Sequence, residues 1–241
     1  MSATMLQMVQ QVTAELNLTV PTYVAGNPSQ DVQQILALMN GSGYELLKEY
    51  DWQMLEKEFR FYTNFVNATA TSTQGSYVLT NVSNTTGLTT QYSITGYNVN
   101  QDTYVSSVDT PTQVTMSQEA SLTGTNSVLF AQTIYPLPFD FETITDRTHW
   151  DKTKHWEALG PEDAQQWQWL KSGYISTGPR IRWRIFQNKF QIWPGVSTNE
   201  LLGFEYRSKA WAEASDGTAK SQYECGYQSE YWEHQVQFTG H

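Results

Sequence analysis

The chain has 241 residues, with nine Trp, fourteen Tyr, ten Phe, one Cys and a formal net charge of −10. The acid excess works against tight wrapping of nucleic acid, which needs clustered cations to displace counterions, although an acidic surface also suits DNA that must slide past without sticking. The lone Cys225 excludes an intramolecular disulfide framework, no run approaches the roughly eighteen apolar residues of a membrane span, and the first residues show neither the charged nor the apolar region of a signal peptide.

Residues 3–18 read as an amphipathic helix, because Met5, Val9, Val12 and Leu16 fall on one face. The next helix is the clearest element. Asn27 is its expected N-cap, Pro28 its first residue, and Asp31 sits near the positive end of the dipole. Val32, Ile35, Leu36, Met39, Leu46, Leu47 and Tyr50 form its apolar stripe, with Gly43 on the stripe where another backbone can approach closely. Residues 55–62 then alternate Leu55, Lys57, Phe59 and Phe61 against Glu56, Glu58 and Arg60, which marks a strand.

From Phe61 to Asp146 there is no lysine or arginine. Within this stretch, residues 76–79, 92–94, 103–108, 113–117 and 127–130 are short β-prone runs separated by Gly, Asn, Asp and Pro. That spacing predicts a small antiparallel sandwich or barrel inserted into a host domain. The host resumes at residues 135–141, where Asp140 is expected to cap a short helix over 142–146. Gly160-Pro161-Glu162-Asp163 opens a third helix carrying Trp167, Trp169 and Leu170. Residues 180–186 alternate with period two, Gln187-Asn188 turns, and 189–193 returns as a hairpin; 202–208 is a further strand. From about Ala212 the aromatic tail has no clear period.

Arg180, Arg182 and Arg184 share one strand face. They suit phosphate or carboxylate recognition, pairing with Glu and Asp across the sheet, or an acidic patch on a neighbouring subunit. His149-Trp150-Asp151 and His155-Trp156-Glu157 place two His six apart, outside the roughly three-to-five spacing of common zinc sites, so both read as structural. Asp140 with Glu142 is a weak carboxylate pair, and Cys225 has no basic neighbour to lower its pKa. Nucleophile-elbow, Walker, zinc-protease and dinucleotide motifs are all absent. The expectation is a non-enzyme without metal or cofactor.

Taken in order, the host segments resemble the head-to-tail adaptor proteins of short-tailed bacteriophages, also called tail accessory factors or connectors. The resemblance rests on Gly26-Asn27-Pro28 leading into the second helix, on Tyr50-Asp51-Trp52-Gln53-Met54-Leu55, and on Tyr135-Pro136-Leu137-Pro138-Phe139-Asp140-Phe141. Leu159-Gly160-Pro161, Trp167, the hairpin ending at Pro194, and Phe204-Glu205-Tyr206-Arg207-Ser208 complete it. It implies an α+β fold: a helical adaptor core with a C-terminal β-hairpin and sheet, carrying the inserted small antiparallel β-sandwich-like module. The expected division is 1–63 and 135–211 for the core, 64–134 for the insert and 212–241 for a portal-docking tail.

The resemblance further implies a structural virion protein at the head–tail interface. It would be made in the bacterial cytoplasm and form a dodecameric ring that joins portal to tail or nozzle and lines the DNA exit channel. Arg180, Arg182 and Arg184 are then subunit-interface candidates, and Tyr223, Tyr227, Tyr231, Trp232 and Phe238 portal-docking candidates, since the usual acidic motif and basic terminal helix are absent. The alternatives are a glycan- or receptor-binding β module of a tail and a head-completion stopper.

Overall fold

The computed structural model describes residues 3–172, 180–214, 218–223 and 235–236. In chain order its first elements are β1 (Ala3–Thr4), α1 (Met5–Glu15), α2 (Gln30–Glu49), β2 (Glu56–Tyr62), β3 (Phe65–Ser72), β4 (Val78–Leu79), β5 (Tyr92–Gly96), β6 (Thr103–Thr110), β7 (Gln113–Met116) and β8 (Gly124–Gln132). There follow β9 (Ile134–Pro136), β10 (Phe141–Ile144), β11 (Trp150–Asp151), β12 (Trp156–Glu157), α3 (Ala164–Lys171), β13 (Arg182–Phe186), β14 (Lys189–Trp193), β15 (Leu201–Ser208), β16 (Ala212–Glu213), β17 (Ala219–Lys220) and β18 (Gln235–Val236). The chain forms two units: Met1–Lys57 with Phe139–Ile144 and Tyr206–His241, and Glu58–Pro138 with Thr145–Glu205.

In the first unit a capping box starts α1. Thr4 Oγ1 accepts from Gln7 N, and the Gln7 side chain accepts from Thr4 N. Helix α2 begins two residues later than the sequence predicts, with Ser29 as N-cap; Asn27 instead closes an Asx turn onto Ser29 N at 2.9 Å. Met5, Val9, Val24, Val32, Ile35, Leu36, Ala212 and Tyr223 make the core of this unit. The strands are short, with β1, β18, β16 and β17 adjacent in that order.

In the second unit six strands run in the order β3-β8-β5-β6-β7-β4, all antiparallel. Reciprocal hydrogen bonds between Thr71 and Thr80, at 2.8 and 2.9 Å, join β3 to the segment after β4 and close the sheet into a barrel. Leu79, Val82, Ile94, Val105, Val114, Met116, Val128 and Phe130 fill it. Beside it, β13 and β14 form the predicted hairpin. Gln187 and Asn188 turn it with φ of 51° and 55°, the left-handed pair that matches strand twist. Pairing Phe190 with Tyr135 adds β9 as a third strand. The core here is an aromatic pile: Trp183 on Phe190 at 5.4 Å, Phe190 on Phe204 at 5.0 Å, and Phe61 on Tyr135 at 4.5 Å.

The expected α+β fold with a helical core is corrected. Strands dominate the described residues, which hold three α-helices and several antiparallel sheets. Where a small antiparallel sandwich or barrel is expected, the six antiparallel strands β3–β8 form a nearly barrel-shaped sheet. The short helix expected over 142–146 is also corrected. Asp140 does not cap; its carboxylate accepts from Lys57 Nζ at 2.8 Å, Tyr206 Oη at 2.8 Å and Ser208 Oγ at 2.6 Å. With both oxygens occupied, 141–144 extends and pairs as β10, Phe141 opposite Ser208.

Candidate functional site

The stripe of α1 does not end in a closed core. Met5 and Val9 are buried, but Leu16 is 60% exposed. On α2, Ile35 and Leu36 are buried while Leu38 and Leu46 are 71% and 40% exposed. Between them lies a groove of about 360 Å³ lined by Met8, Val12, Leu16, Leu38, Leu46 and Trp211, among others. Gly43 lies on this face, and what approaches it is the Trp211 ring in place of the expected backbone; a side chain at 43 would run into that ring. Tyr223, expected in the docking tail, is buried edge-on against Trp211 at 5.0 Å, and its backbone N–H donates to Asn40 Oδ1 at 2.8 Å. Of the other docking candidates, Tyr227, Tyr231, Trp232 and Phe238 lie outside the described residues.

The three arginines of the predicted strand face have three different settings. Arg180 is exposed. Arg182 donates to Glu162 Oε1 at 2.9 Å, and that carboxylate is largely buried. Arg184 donates from Nε to Gln191 Oε1 at 3.0 Å, and its guanidinium carbon stands 4.5 Å from the Trp167 ring centre and 4.6 Å from that of Phe186. Burial pulls its pKa below the ordinary arginine value. This side chain borders a second cavity of about 350 Å³, walled by polar residues of the barrel on one side and by β13, β14 and α3 on the other. There Lys171 Nζ pairs with Asp102 Oδ1 at 2.6 Å.

Two buried polar sites involve the His149-Trp150-Asp151 segment, which the sequence reads as structural; the partner of Asp151 is what the sequence leaves out. Asp151 and Glu200 are 3% and 1% exposed and lie together. Burial first, then the Glu200 carboxyl, raises Asp151 above the carboxylate range. Glu200 stays below that range: burial opposes ionisation, but Lys154 and Thr198 outweigh it. The pair lines neither of the two cavities described above; Asp151 accepts from Thr153 N and Lys154 N and Glu200 from Thr198 Oγ1, which pins the loops around Thr153 and Thr198. His149 stacks on Trp183 at 3.8 Å; burial lowers its pKa to about 4, against the pull of Asp146. It is a neutral core ring at pH 7. No local signal could join residues 49 positions apart, as Asp151 and Glu200 are; only the sheet that pairs Asp151 with Leu202 does so.

Among the described residues, no group of three or more His, Cys, Asp or Glu is placed to hold a metal, and no helix is long and apolar enough to cross a membrane. No protein-family model, curated protein or solved structure matches the chain.

Proposed function

We propose that this chain is a non-enzymatic structural subunit of a virion, a head-to-tail adaptor that works by assembling into a ring between portal and tail. The observation that supports it is the open apolar face of α1 and α2. A groove rimmed by Leu16, Leu38 and Leu46 is too apolar to be left wet at little cost, and the surface of a subunit is where such a face gains from being covered. The occupant in this reading is a second copy of the chain. The ordered motifs from Gly26 to Ser208 supply the particular family, and the acidic net charge suits a bore that does not grip DNA. The adaptor reading does not require the helical core expected from the resemblance: α1 and α2 belong to the first unit, and strands make up most of the second.

Negative-stain imaging of the purified chain, alone and mixed with a portal ring, tests the proposal. Closed rings of this chain seated on the portal are expected. A monomer that ignores portal at micromolar concentration, while binding glycan through its barrel, would replace the adaptor with the receptor-binding alternative.

A further inference from the structure

Arg184 stands apart from the other cations with buried surroundings. Arg182, two residues earlier on the same face, has Glu162, and Lys171 at the cavity rim has Asp102. Among the described residues no carboxylate is in ion-pair range of Arg184. Its Nε is committed to Gln191, and the Trp167 and Phe186 rings fix the plane of the guanidinium. A guanidinium resting on aromatic rings is often no more than packing. Here it also borders a concave cavity of about 350 Å³, a size within the range of small-ligand sites.

Charge sets the class of ligand. Of the acidic and basic side chains lining the cavity, Asp102 and Lys171 pair with each other. Arg184 leaves the cavity with one net positive charge in a chain of −10. The Nη1 and Nη2 edge of a guanidinium held by Gln191 and two rings is a planar fork, which matches the two coplanar oxygens of a carboxylate.

We infer that the cavity between the barrel and the β13–β14 hairpin is a carboxylate-binding site centred on Arg184, with Gln191, Trp167 and Phe186 holding the fork in place. The carboxylate is carried either by a small organic acid or by an acidic side chain of a polypeptide. The inference is independent of ring assembly and concerns the chain by itself.

The test titrates the full chain, without portal and at fixed ionic strength, following the ¹⁵N indole resonance of Trp167, assigned through Trp167→Phe. The probes are glutarate, the neutral glutaramide and a blocked tri-glutamate peptide. A saturable shift with glutarate alone supports the site and assigns it to a small acid. A shift with the peptide alone supports it and assigns it to a protein segment, and a shift with both supports it for either source. Arg184→Gln is expected to weaken binding at least about tenfold, a loss of the size charge-assisted bidentate bonds produce, and Arg180→Gln to change it by less than about twofold. Arg184→Lys keeps the charge but loses the fork; it is expected to weaken binding by a similar factor and serves if the glutamine variant does not fold. No saturable shift with either acid, equal response to glutaramide, or wild-type affinity in the lysine variant would overturn the site.

Discussion

Asp140 shows how one side chain redirects a segment. A carboxylate ahead of a run such as Phe-Glu-Thr-Ile is a good helix cap in isolation. Here Lys57, Tyr206 and Ser208 converge on it inside the first unit. Burial works to raise its pKa, and those three bonds outweigh burial and hold the carboxyl below its ordinary value of 3.8. A depressed folded-state pKa contributes stability that is complete above the unfolded value and is lost as pH falls through the folded one. Asp140→Asn is therefore expected to cost about 2 kcal/mol at pH 7, since an amide N–H would face one of the donors around this buried side chain while Lys57 keeps partial contact with water. The deficit should shrink below pH 4, as urea unfolding at both pH values will show. His149 has a lowered pKa as well, with the base as its favoured form. Its folded value of about 4 against an ordinary 6.5 means that the unfolded chain takes up a proton the folded chain refuses. Stability is full above pH 6.5 and falls toward pH 4, by at most about 3 kcal/mol. His149→Phe keeps the stack on Trp183 and should flatten the thermal-unfolding profile across that window.

The elements divide by what their faces meet. The hairpin is settled locally: alternation buries Trp183 and Ile192, and the Gln187-Asn188 turn has the backbone twist the strands need. Helix α2 is settled only half locally, because its stripe is wider than the core beneath it. Leu38, at 71% exposure, gains little from the fold of its own unit. Leu38→Glu is expected to change folding stability by no more than about 0.5 kcal/mol, as for other surface substitutions, while abolishing ring formation with portal. Unfolding titration and negative-stain imaging of the same preparation separate the two effects. Rings formed normally by this variant would remove the α1–α2 face from the assembly.

Across the whole molecule, the cation-free stretch coincides with a barrel whose ends meet. Phe65 pairs with Ala131, and Asn64 Nδ2 donates to Gln132 Oε1 at 3.0 Å. Closing the gap after removing 65–131 thus needs only a short turn. The adaptor reading predicts that such a deletion still binds portal, measured by co-sedimentation, whereas a receptor-binding barrel loses its activity. The deletion also removes the barrel wall of the Arg184 cavity, so carboxylate binding is expected to disappear with it.

By itself the sequence determined the elements whose patterns are local: α1 and α2 from the spacing of Met5, Val9, Val32 and Ile35, the β13–β14 hairpin from strict alternation around Gln187-Asn188, and most barrel strands from apolar residues between turn formers. It missed β3 because Phe65–Ser72 reads as polar until its inner Ala68 and Ala70 are seen to be buried in the same core as Phe130. Tertiary structure alone decided that strands outweigh helices, that Asp140 is a hub, and that the three arginines of one face have three fates. Those outcomes depend on partners 66 or 68 residues away, as with Tyr206 and Ser208, or on an aromatic ring from another element, as with Trp167 beneath Arg184. Local periodicity reports which side of an element is apolar; what that side meets is set by packing, which brings together residues with no relation along the chain.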